Sequence, residues 1–260
     1  MHSDLWRKPT TWGIDCDVLL YSVGFASQTN LDKTGERVEE ARPLISADQA
    51  CAQLVNAIER IAHAAGCKSS YIYLTGDANY RTHYSLSDHP YKGHRTSEKP
   101  LYYDILKTFA LGDLGAIVCE GCEADDLLAQ GAYFNGDGIA TIDKDLNMVA
   151  GWHYNWMKDK LFLVSPENGM RFFYRQLLTG DPADNIPGLF RLTGRKATAK
   201  LLDPICEMEK ELDMWEYVVS VYHEHGGTER DWIHTLTCTG TQLWMDIYGD
   251  KLWYPPRSVV

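Results

Sequence analysis

The stretch Thr11-Trp-Gly-Ile-Asp15 decides the fold, because it is a short apolar run that ends in an acidic residue. Two similar runs follow, Tyr71-Ile-Tyr-Leu74 shortly before Asp77 and Ile139-Ala-Thr-Ile142 directly before Asp143. Short apolar runs between polar segments predict buried strands. Parallel strands bring their carboxyl ends to one edge of a sheet, where ligands bind. The three acidic residues are therefore expected to lie side by side.

A helix is predicted between the first two strands. Ser46 is a favourable N-cap with Gln49 three residues later, Leu54 and Ile58 follow at helical spacing, and Gly66 is a typical stop. A helix that joins two buried strands is the repeating unit of a mostly parallel sheet. We therefore predict an α/β fold with a mostly parallel central sheet flanked by helices.

The composition favours a soluble protein with one large core. The chain has 260 residues, of which 45% are hydrophobic. No run approaches the roughly 20 apolar residues that cross a membrane, and the first residues lack the apolar block of a signal peptide. We expect a cytoplasmic monomer without membrane contact. Seven cysteines, mostly in apolar contexts, are expected to be reduced.

Three acidic segments carry the chemistry. The segment Glu123-Ala-Asp125-Asp126 is predicted to open a helix, with Glu123 and Asp126 on one face. Asp143-Lys-Asp145 follows the third strand, and an extended backbone would point both carboxylates the same way. The segment Gly180-Asp181-Pro-Ala-Asp184-Asn-Ile-Pro-Gly188 is a turn framed by glycine and proline. Each segment alone is an ordinary surface feature.

Together the acidic segments predict a metal site. Hard cations prefer oxygen ligands, and two such ions serve in-line attack on a phosphodiester. Without cations, so many neighbouring carboxylates would repel one another. The nine candidate ligands also account for most of the net charge of −11, so the charge does not exclude a nucleic-acid substrate.

Cationic side chains accompany the acidic ones. In Tyr91-Lys-Gly-His-Arg95, Lys92 and Arg95 are about one helical turn apart and suit one phosphate, while Tyr91 suits stacking on a base. Arg81 lies upstream of this run. A helix predicted from near Arg195 would present backbone amides and basic side chains to a phosphate backbone. Those basic side chains are Arg195, Lys196 and Lys200.

The order and wording of these motifs resemble the flap endonuclease and 5′-3′ exonuclease family. The resemblance is closest to its bacteriophage members and to the 5′ nuclease domain of bacterial DNA polymerase I, and it runs from Asp15 to about Leu202. It implies the fold of 5′ nucleases, similar to that of PIN domains. The implied activity is a 5′-3′ exonuclease, with flap endonuclease activity beside it, in phage-type DNA replication or primer removal.

The resemblance also implies roles for individual residues. Two Mg²⁺ ions, with Mn²⁺ as a substitute, would be held by carboxylates. One ion would lie among Asp15, Asp77, Glu123 and Asp125, and the other would lie near Asp126, Asp143, Asp145, Asp181 and Asp184. Lys92 and Arg95 would steady the scissile phosphate, with Asp15 and Asp143 as the catalytic carboxylates. Tyr91 would stack on a terminal base, and Arg81 would support DNA binding.

Two parts of the chain are expected from the resemblance. Residues 1–180 would form the 5′ nuclease core, with a short arch-like excursion at about 81–112. Residues 181–260 would form a helix-hairpin-helix-like element that grips DNA, together with C-terminal helices packed on the core. That element implies a potassium ion at its turn, although the turn here has one glycine fewer than the family pattern. DNA with 5′ ends or flaps, an RNA–DNA hybrid and unidentified replication proteins are the implied partners, in the cytoplasm of the host bacterium if the protein is phage-encoded.

Two other functions fit parts of the sequence. A phosphatase similar to haloacid dehalogenases would use Asp15 as the nucleophile and Asp17 as a general acid, with Leu74-Thr75-Gly76 as its second motif. This scheme leaves the segments around Glu123 and Lys92 unexplained. A non-catalytic protein that binds DNA structures would have gaps in its set of acidic residues, and the sequence has none of the expected gaps.

Overall fold

The chain folds around a six-stranded sheet, described here from a computed structural model for residues 7–32, 34–95, 98–226 and 231–256. The sheet has the strand order β5-β4-β1-β6-β7-β8, in which β8 alone is antiparallel to its neighbour. Its strands are β1 (Thr11–Asp15), β4 (Ser69–Thr75), β5 (Ile117–Cys119), β6 (Gly138–Ala140), β7 (Gly151–Asn155) and β8 (Lys160–Val164). The predicted mostly parallel sheet is confirmed.

Two small antiparallel pairs lie outside the main sheet. They are β2 (Gln28–Leu31) with β3 (Arg37–Pro43), and β9 (Gly180–Asp181) with β10 (Ile186–Pro187). The helices are α1 (Cys16–Ala26), α2 (Ala47–Ala65), α3 (Tyr103–Gly112), α4 (Ala124–Gln130), α5 (Pro166–Thr179), α6 (Leu189–Thr193), α7 (Ala199–Glu207), α8 (Glu211–His225) and α9 (Trp232–Leu243). Short 3₁₀ turns cover Tyr80–Tyr84 and Asp145–Met148, and a π turn covers Gly131–Asn135.

The first strand and the long helix form where the sequence predicts them. β1 spans the quoted stretch to the residue. In α2, the Ser46 side chain accepts the Gln49 N–H while the Gln49 side chain accepts the Ser46 N–H, and Gly66 ends the helix in a left-handed conformation with φ of 73°. Both helix ends thus satisfy backbone groups that have no partner inside the helix.

Two hydrophobic cores cover the two faces of the sheet. One core, with Trp12, Leu54 and Leu106, packs α1, α2 and α3 against the sheet. The other joins Leu128 of α4 and Phe173 of α5 to residues of α8, α9 and the segment that follows α9. Burial on both faces fits the nearly continuous apolar character of the central strands. The strand ends that face solvent are then free to carry polar residues.

Several boundaries differ from the predictions. The helix predicted from near Arg195 begins at Ala199, because Gly194 in a left-handed conformation ends α6 and an irregular loop follows. Within the predicted excursion at 81–112, α3 packs against α1 and α2 with Tyr103 and Leu106 buried. The β2–β3 pair and the antiparallel β8 have no counterpart in the prediction. The β2–β3 pair is largely exposed and lacks a distinctive pattern, whereas the apolar run of β8 was not interpreted as a strand.

Two further expectations meet the structure here. In the described part of the chain, no helix combines the length and the apolar character that crossing a membrane requires. The expectation of reduced cysteines is wrong for one pair, because Cys119 and Cys122 are joined by a disulfide. Their Cα atoms lie 5.4 Å apart, within the range that a disulfide spans. The other described cysteines are free.

Candidate active site

A cleft of about 590 Å³ opens at the carboxyl ends of the central strands. β1 ends at Asp15, β4 ends at Thr75, and the chain after β6 reaches Asp143. The start of α4 and the turn between β9 and β10 close its sides. Eight of the nine predicted carboxylates line it, the exception being Asp126. The eight are Asp15, Asp77, Glu123, Asp125, Asp143, Asp145, Asp181 and Asp184, and Asp17 lines the cleft as well.

Asp15 lies at the bottom of the cleft and is held by local structure. Its side chain caps α1 by accepting the Val18 N–H at 3.4 Å, and it accepts the Thr141 hydroxyl at 2.9 Å. The residue is 3% exposed. Burial, together with the charge of Asp17, raises the pKa of Asp15 to about 7. An ionised Asp15 therefore needs a nearby positive charge.

Asp125 and Asp143 add to the same concentration of negative charge. Burial and the charges of Asp15 and Asp143 raise the pKa of Asp125 well above its usual value. Burial also raises the pKa of Asp143. Neither carboxylate has a salt bridge to a basic side chain in the described residues. Groups perturbed by burial and like charge in a cleft are typical of functional sites.

Asp143 and Asp145 do not follow the predicted extended backbone. A 3₁₀ turn begins at Asp145, and the Asp145 N–H donates to Asp143 Oδ1 at 2.8 Å. Both side chains nevertheless line the cleft. Burial and the charge of Asp143 raise the pKa of Asp145 to about 7, although Gln176 donates a hydrogen bond to it at 2.6 Å. The pair is thus adjacent through a turn rather than through strand periodicity.

Glu123 and Asp184 are paired with cations, in contrast to Asp15. Lys92 forms an ion pair with Glu123 and lies 3.6 Å from Asp184, and Arg95 forms an ion pair with Asp184. Burial alone would raise the pKa of Glu123, but the charges of Lys92 and Arg81 outweigh burial and lower it. Lys92 and Arg95 therefore stand beside the carboxylates of the cleft.

The turn that carries Lys92 is fixed to the turn that carries Asp184. The Lys92 N–H donates to the Asp184 carbonyl at 2.8 Å, and the Asn185 side chain donates to the Pro90 carbonyl at 2.9 Å. Lys92 adopts a positive φ of 54°, which is rare for a residue with a side chain. A conformation of this kind persists only where the surroundings hold it, and it is common at functional sites.

Glycine is required at both ends of the Asp181–Asp184 turn. The backbones of Gly180 and Gly188 approach each other so closely that a Cβ atom on either would collide with the other, and Gly180 has a positive φ of 68°. Asp181 is buried, accepts the Ala183 N–H at 3.1 Å, and lies 3.6 Å from the Lys144 ammonium. This close approach directs the turn toward the cleft.

Arg81 and Asp126 contradict the roles predicted for them. Arg81 is 1% exposed and donates two hydrogen bonds of 2.7 Å to the two oxygens of Asp126, which is fully buried. Arg81 also donates to the carbonyls of Gln242 and Trp244. Buried charges need such complete pairing. The pair therefore fastens the end of α9 and the segment after it to α4. Asp126 does not line the cleft, whereas Arg81 does, and the two charges neutralise each other.

Asp126 also holds Glu123 in place. Its carboxylate accepts the Glu123 N–H at 2.9 Å and the Asp246 N–H at 2.9 Å. The Glu123 side chain in turn accepts the Asn79 amide at 2.8 Å. The first turn of α4 is thus anchored from below by Arg81 and from the side by residue 79, so that Glu123 faces the cleft.

Tyr91 does not have a free ring for base stacking. It is 8% exposed, and its hydroxyl donates to Glu123 at 3.0 Å or to Asp184 at 2.9 Å. The ring is therefore not exposed for stacking as it stands, and the stacking role stays a prediction. The physical reason is that the two carboxylates attract the hydroxyl into the cleft wall, where the ring packs into the core.

The remaining predicted residues lie at the rim or outside the cleft. Asp77 is exposed at the rim. Arg195, Lys196 and Lys200 are exposed and do not line the cleft. They lie in the loop between α6 and α7 and in the first turn of α7. The predicted helix-hairpin-helix-like element stays a prediction.

The side chains as they stand do not form a closed metal site. Within residues 7–32, 34–95, 98–226 and 231–256, no group of three His, Cys, Asp or Glu side chains converges tightly enough to hold an ion. Mg²⁺ keeps several water ligands and needs only one or two carboxylates, so a closed cage is not required. The carboxylate oxygens of the cleft are suitable ligands for such an ion. A bound cation would also reduce the repulsion between the crowded carboxylates.

Several residues of the cleft were missed by the sequence reasoning for this function. Asp17 lines the cleft and accepts the Thr75 N–H at 2.9 Å, and burial raises its pKa. Tyr103 and Lys107 of α3 face the cleft beside Lys99, whose ammonium lies 4.5 Å from the centre of the Tyr103 ring. The four-residue spacing of Tyr103 and Lys107 was the available signal, since it places both on one helix face.

The sequence matches no model of a protein family and no curated protein. Solved structures do resemble it. The bacteriophage T5 D15 protein co-crystallized with metal ions is 15% identical with a TM-score of 0.59, over 93% of this chain and 95% of that chain. The T5 D15 flap endonuclease in a pseudo-enzyme-product complex with DNA and metal ions gives 16% and 0.58, over 92% and 94%. The catalytic core of Rad2 in complex with DNA substrate gives 12% and 0.53, over 96% and 84%. At these identities the likeness concerns the fold, and it confirms that this chain has the α/β fold of 5′ nucleases.

Proposed function

We propose that the chain is a divalent-metal-dependent 5′ nuclease that hydrolyses phosphodiester bonds of DNA. The observation that carries the proposal is the cleft itself, in which the buried Asp15 and the half-buried Asp125 and Asp143, none with a salt bridge among the described residues, line the same cleft as Lys92 and Arg95. Negative side chains alone would repel a phosphate, and cationic side chains alone would only bind it. The combination suits a reaction in which metal ions and cations share the charge of the transition state.

The metal would be held by the carboxylates that lack a cation. These are Asp15, Asp125 and Asp143, with Asp145 and Asp181 beside them and Asp77 at the rim. When bound, Mg²⁺ or Mn²⁺ supplies charge that stabilises the attacking and leaving oxygens of an in-line displacement. The solved structures with similar folds support this proposal, since the T5 D15 protein was co-crystallized with metal ions.

Lys92 and Arg95 would contribute to the chemical step by binding the scissile phosphate. Lys92 pairs with Glu123, and Arg95 pairs with Asp184. Burial lowers the pKa of Lys92, but the charges of Glu123 and Asp184 raise it by more, so its pKa rises overall. Lys92 is therefore protonated at neutral pH. A phosphate oxygen that enters the cleft offers both cations a further acceptor without moving them out of the cleft wall.

DNA beyond the cleft would be gripped by the loop between α6 and α7. Arg195, Lys196 and Lys200 are exposed there, and contacts from such residues to phosphates position DNA without reading its sequence. Gly194 ends α6 with a positive φ of 67°, so a potassium ion bound by backbone carbonyls at this turn is part of the proposal. DNA complexes of the T5 D15 flap endonuclease and of Rad2 support DNA as the partner.

The mode of cleavage is proposed as 5′-3′ exonuclease with 5′ flap cleavage beside it. The test compares a blunt duplex, a nicked duplex and a 5′-flap duplex, each with Mg²⁺ and with EDTA. Release of mononucleotides identifies exonuclease action, and release of the whole flap identifies endonuclease action. Absence of any Mg²⁺-dependent cleavage on all three substrates contradicts the proposed function.

One observation favours the phosphatase as a second candidate. Asp15 and Asp17 line the same cleft, and Asp17 contacts Thr75, as a nucleophile and general acid with a neighbouring threonine would. The phosphatase predicts a phosphoenzyme on Asp15 and hydrolysis of small phosphate esters. Rapid acid quenching with a labelled phosphate ester distinguishes the two, since a nuclease of the proposed type forms no covalent intermediate.

A further inference from the structure

A second pocket of about 330 Å³ lies on the other side of the Asp143–Lys144 turn. It is formed by β7, β8 and the first turns of α5. Asp143 lines both this pocket and the first cleft. The two are therefore neighbours, and a strand that leaves the cleft past Asp143 arrives at the second pocket.

The second pocket is basic in a chain whose net charge is −11. Lys144, Lys158 and Lys160 line it, and all three are exposed. Lys144 lies 3.3 Å from Asp145, whereas Lys158 and Lys160 pair with no carboxylate in the part of the chain that the structure describes. The carboxylate between them, Asp159, accepts the Tyr154 hydroxyl at 2.9 Å. Two cations without a carboxylate partner at a pocket favour an anionic ligand.

Flat rings lie beside these lysines. The Phe162 ring stacks on the buried His153 ring, with centroids 5.3 Å apart and an angle of 20° between the planes. The Lys160 ammonium lies 5.5 Å from the centre of the Phe162 ring. Phe172 of α5 lines the same pocket. Rings held in place next to cations are what proteins use to bind single-stranded nucleic acid, with bases on the rings and phosphates on the cations.

We propose that the second pocket is a subsite for one nucleotide of a single nucleic-acid strand, next to the position cleaved in the first cleft. Its volume of about 330 Å³ is near the lower limit of about 300 Å³ for ligand pockets, which suits one nucleotide. Lys158 and Lys160 bind its phosphates, and Phe162 bears its base. The inference rests on the proposed function, because it takes the strand in the first cleft to be nucleic acid.

The test measures how binding depends on salt. A fluorescent single-stranded oligonucleotide and a 5′-flap DNA are titrated by anisotropy in Ca²⁺ between 50 and 200 mM salt, chosen in the range where phosphate contacts dominate. Each lost phosphate contact on a single strand makes the negative slope of log K against log salt shallower by about 0.7. The double variant Lys158→Ala/Lys160→Ala should therefore bind more weakly, with a slope shallower by about 1.4.

The matched control removes two lysines at the opposite end of the sheet. Lys8 and Lys68 flank the amino ends of β1 and β4, so Lys8→Ala/Lys68→Ala changes the net charge equally and should leave the slope unchanged. An equal change in both double variants would overturn the inference, because it would reflect net charge alone. An unchanged slope for Lys158→Ala/Lys160→Ala would also overturn it while leaving the proposed nuclease intact.

The stacking part has its own readout. Phe162→Leu should weaken single-strand binding about five- to hundredfold without changing the slope, because stacking is insensitive to salt compared with phosphate contacts. Failure of the wild-type protein to bind either DNA would overturn the subsite and the proposed function together. Binding by the wild-type protein with no loss in Phe162→Leu would remove the base from the subsite.

Discussion

The two sides of the cleft treat their carboxylates in opposite ways. The paired carboxylates, Glu123 and Asp184, with Asp126 beneath them, are neutralised by Lys92, Arg95 and Arg81. The open carboxylates, Asp15, Asp125 and Asp143, have no salt bridge to any described basic side chain, and their pKa values are raised by burial and by the charges of neighbouring carboxylates.

This difference separates two tasks that look alike in the sequence. A carboxylate with an internal cation contributes to stability and positions that cation. A buried carboxylate without one destabilises the folded chain when ionised, and it has a use only if an external cation arrives. The open carboxylates are therefore the metal-binding side of the proposal, and the paired ones hold the cations that face the phosphate.

The largest effect is expected for an open carboxylate. Asp143→Asn keeps the shape and removes the charge, so Mg²⁺-dependent cleavage of a 5′-flap DNA should slow at least about a thousandfold. Single-turnover kinetics measure the rate. Asp113→Asn, at an exposed position at the end of α3, is the control and should be unaffected. Ordinary cleavage by Asp143→Asn would remove the open carboxylates from the metal site.

The buried pair beneath the cleft should act on stability first. Arg81→Met leaves Asp126 buried and unpaired, which should lower the free energy of unfolding by about 3 kcal/mol or more, measured by urea denaturation. Arg81→Met/Asp126→Leu should recover part of the loss, because it removes the orphaned charge. If Arg81→Met folded with unchanged stability and lost only DNA affinity, the original interpretation of Arg81 as a DNA contact would be right.

Lys92 tests the cation of the paired side. Lys92→Ala should slow single-turnover cleavage about a hundredfold, the loss expected for one contact to transition-state charge. DNA affinity in Ca²⁺ should change much less, since several other cations remain. Lys68→Ala serves as the control. A loss of affinity that equals the loss of rate would assign Lys92 to ground-state binding instead.

The smallest effect concerns pH in the absence of metal. Asp15 and Asp145 have folded pKa values of about 7 against an ordinary value of 3.8, so the folded chain binds their protons more tightly and loses stability as pH rises from about 4 through 7. His153 acts in the opposite sense, because burial lowers its pKa from 6.5 to about 4, but most of its contribution is already present at pH 6.5.

Between pH 6.5 and 8 in EDTA, the free energy of unfolding should therefore fall by about 1–2 kcal/mol. Mg²⁺ should restore it at pH 8, because the ion stabilises the ionised carboxylates. Asp15→Asn should flatten the pH dependence and raise the stability of the metal-free protein. Increasing stability over this pH range without metal would contradict the distinction between open and paired carboxylates.

The sequence by itself determined the elements that depend on local patterns. The run Thr11–Asp15 is a strand because it is apolar and short. The helix α2 begins at the capping side chain of Ser46 and ends at Gly66, which adopts a left-handed conformation. Glu123 stands at the start of α4, as predicted. The strand ends then brought most of the predicted acids to one cleft, because parallel strands share a carboxyl edge.

Tertiary structure alone decided which acid meets which cation. Arg81 and Tyr91 carry groups that suit DNA, yet the fold places carboxylates beside them. Arg81 donates to Asp126, and the Tyr91 hydroxyl donates to Glu123 or Asp184. Arg81 is further fixed by Gln242 and Trp244, more than 160 positions along the chain, and no local pattern encodes such a contact. Charge pairing in a buried site depends on distance in space. The sequence shows which charged residues are present, and the tertiary structure determines which of them are close enough to pair.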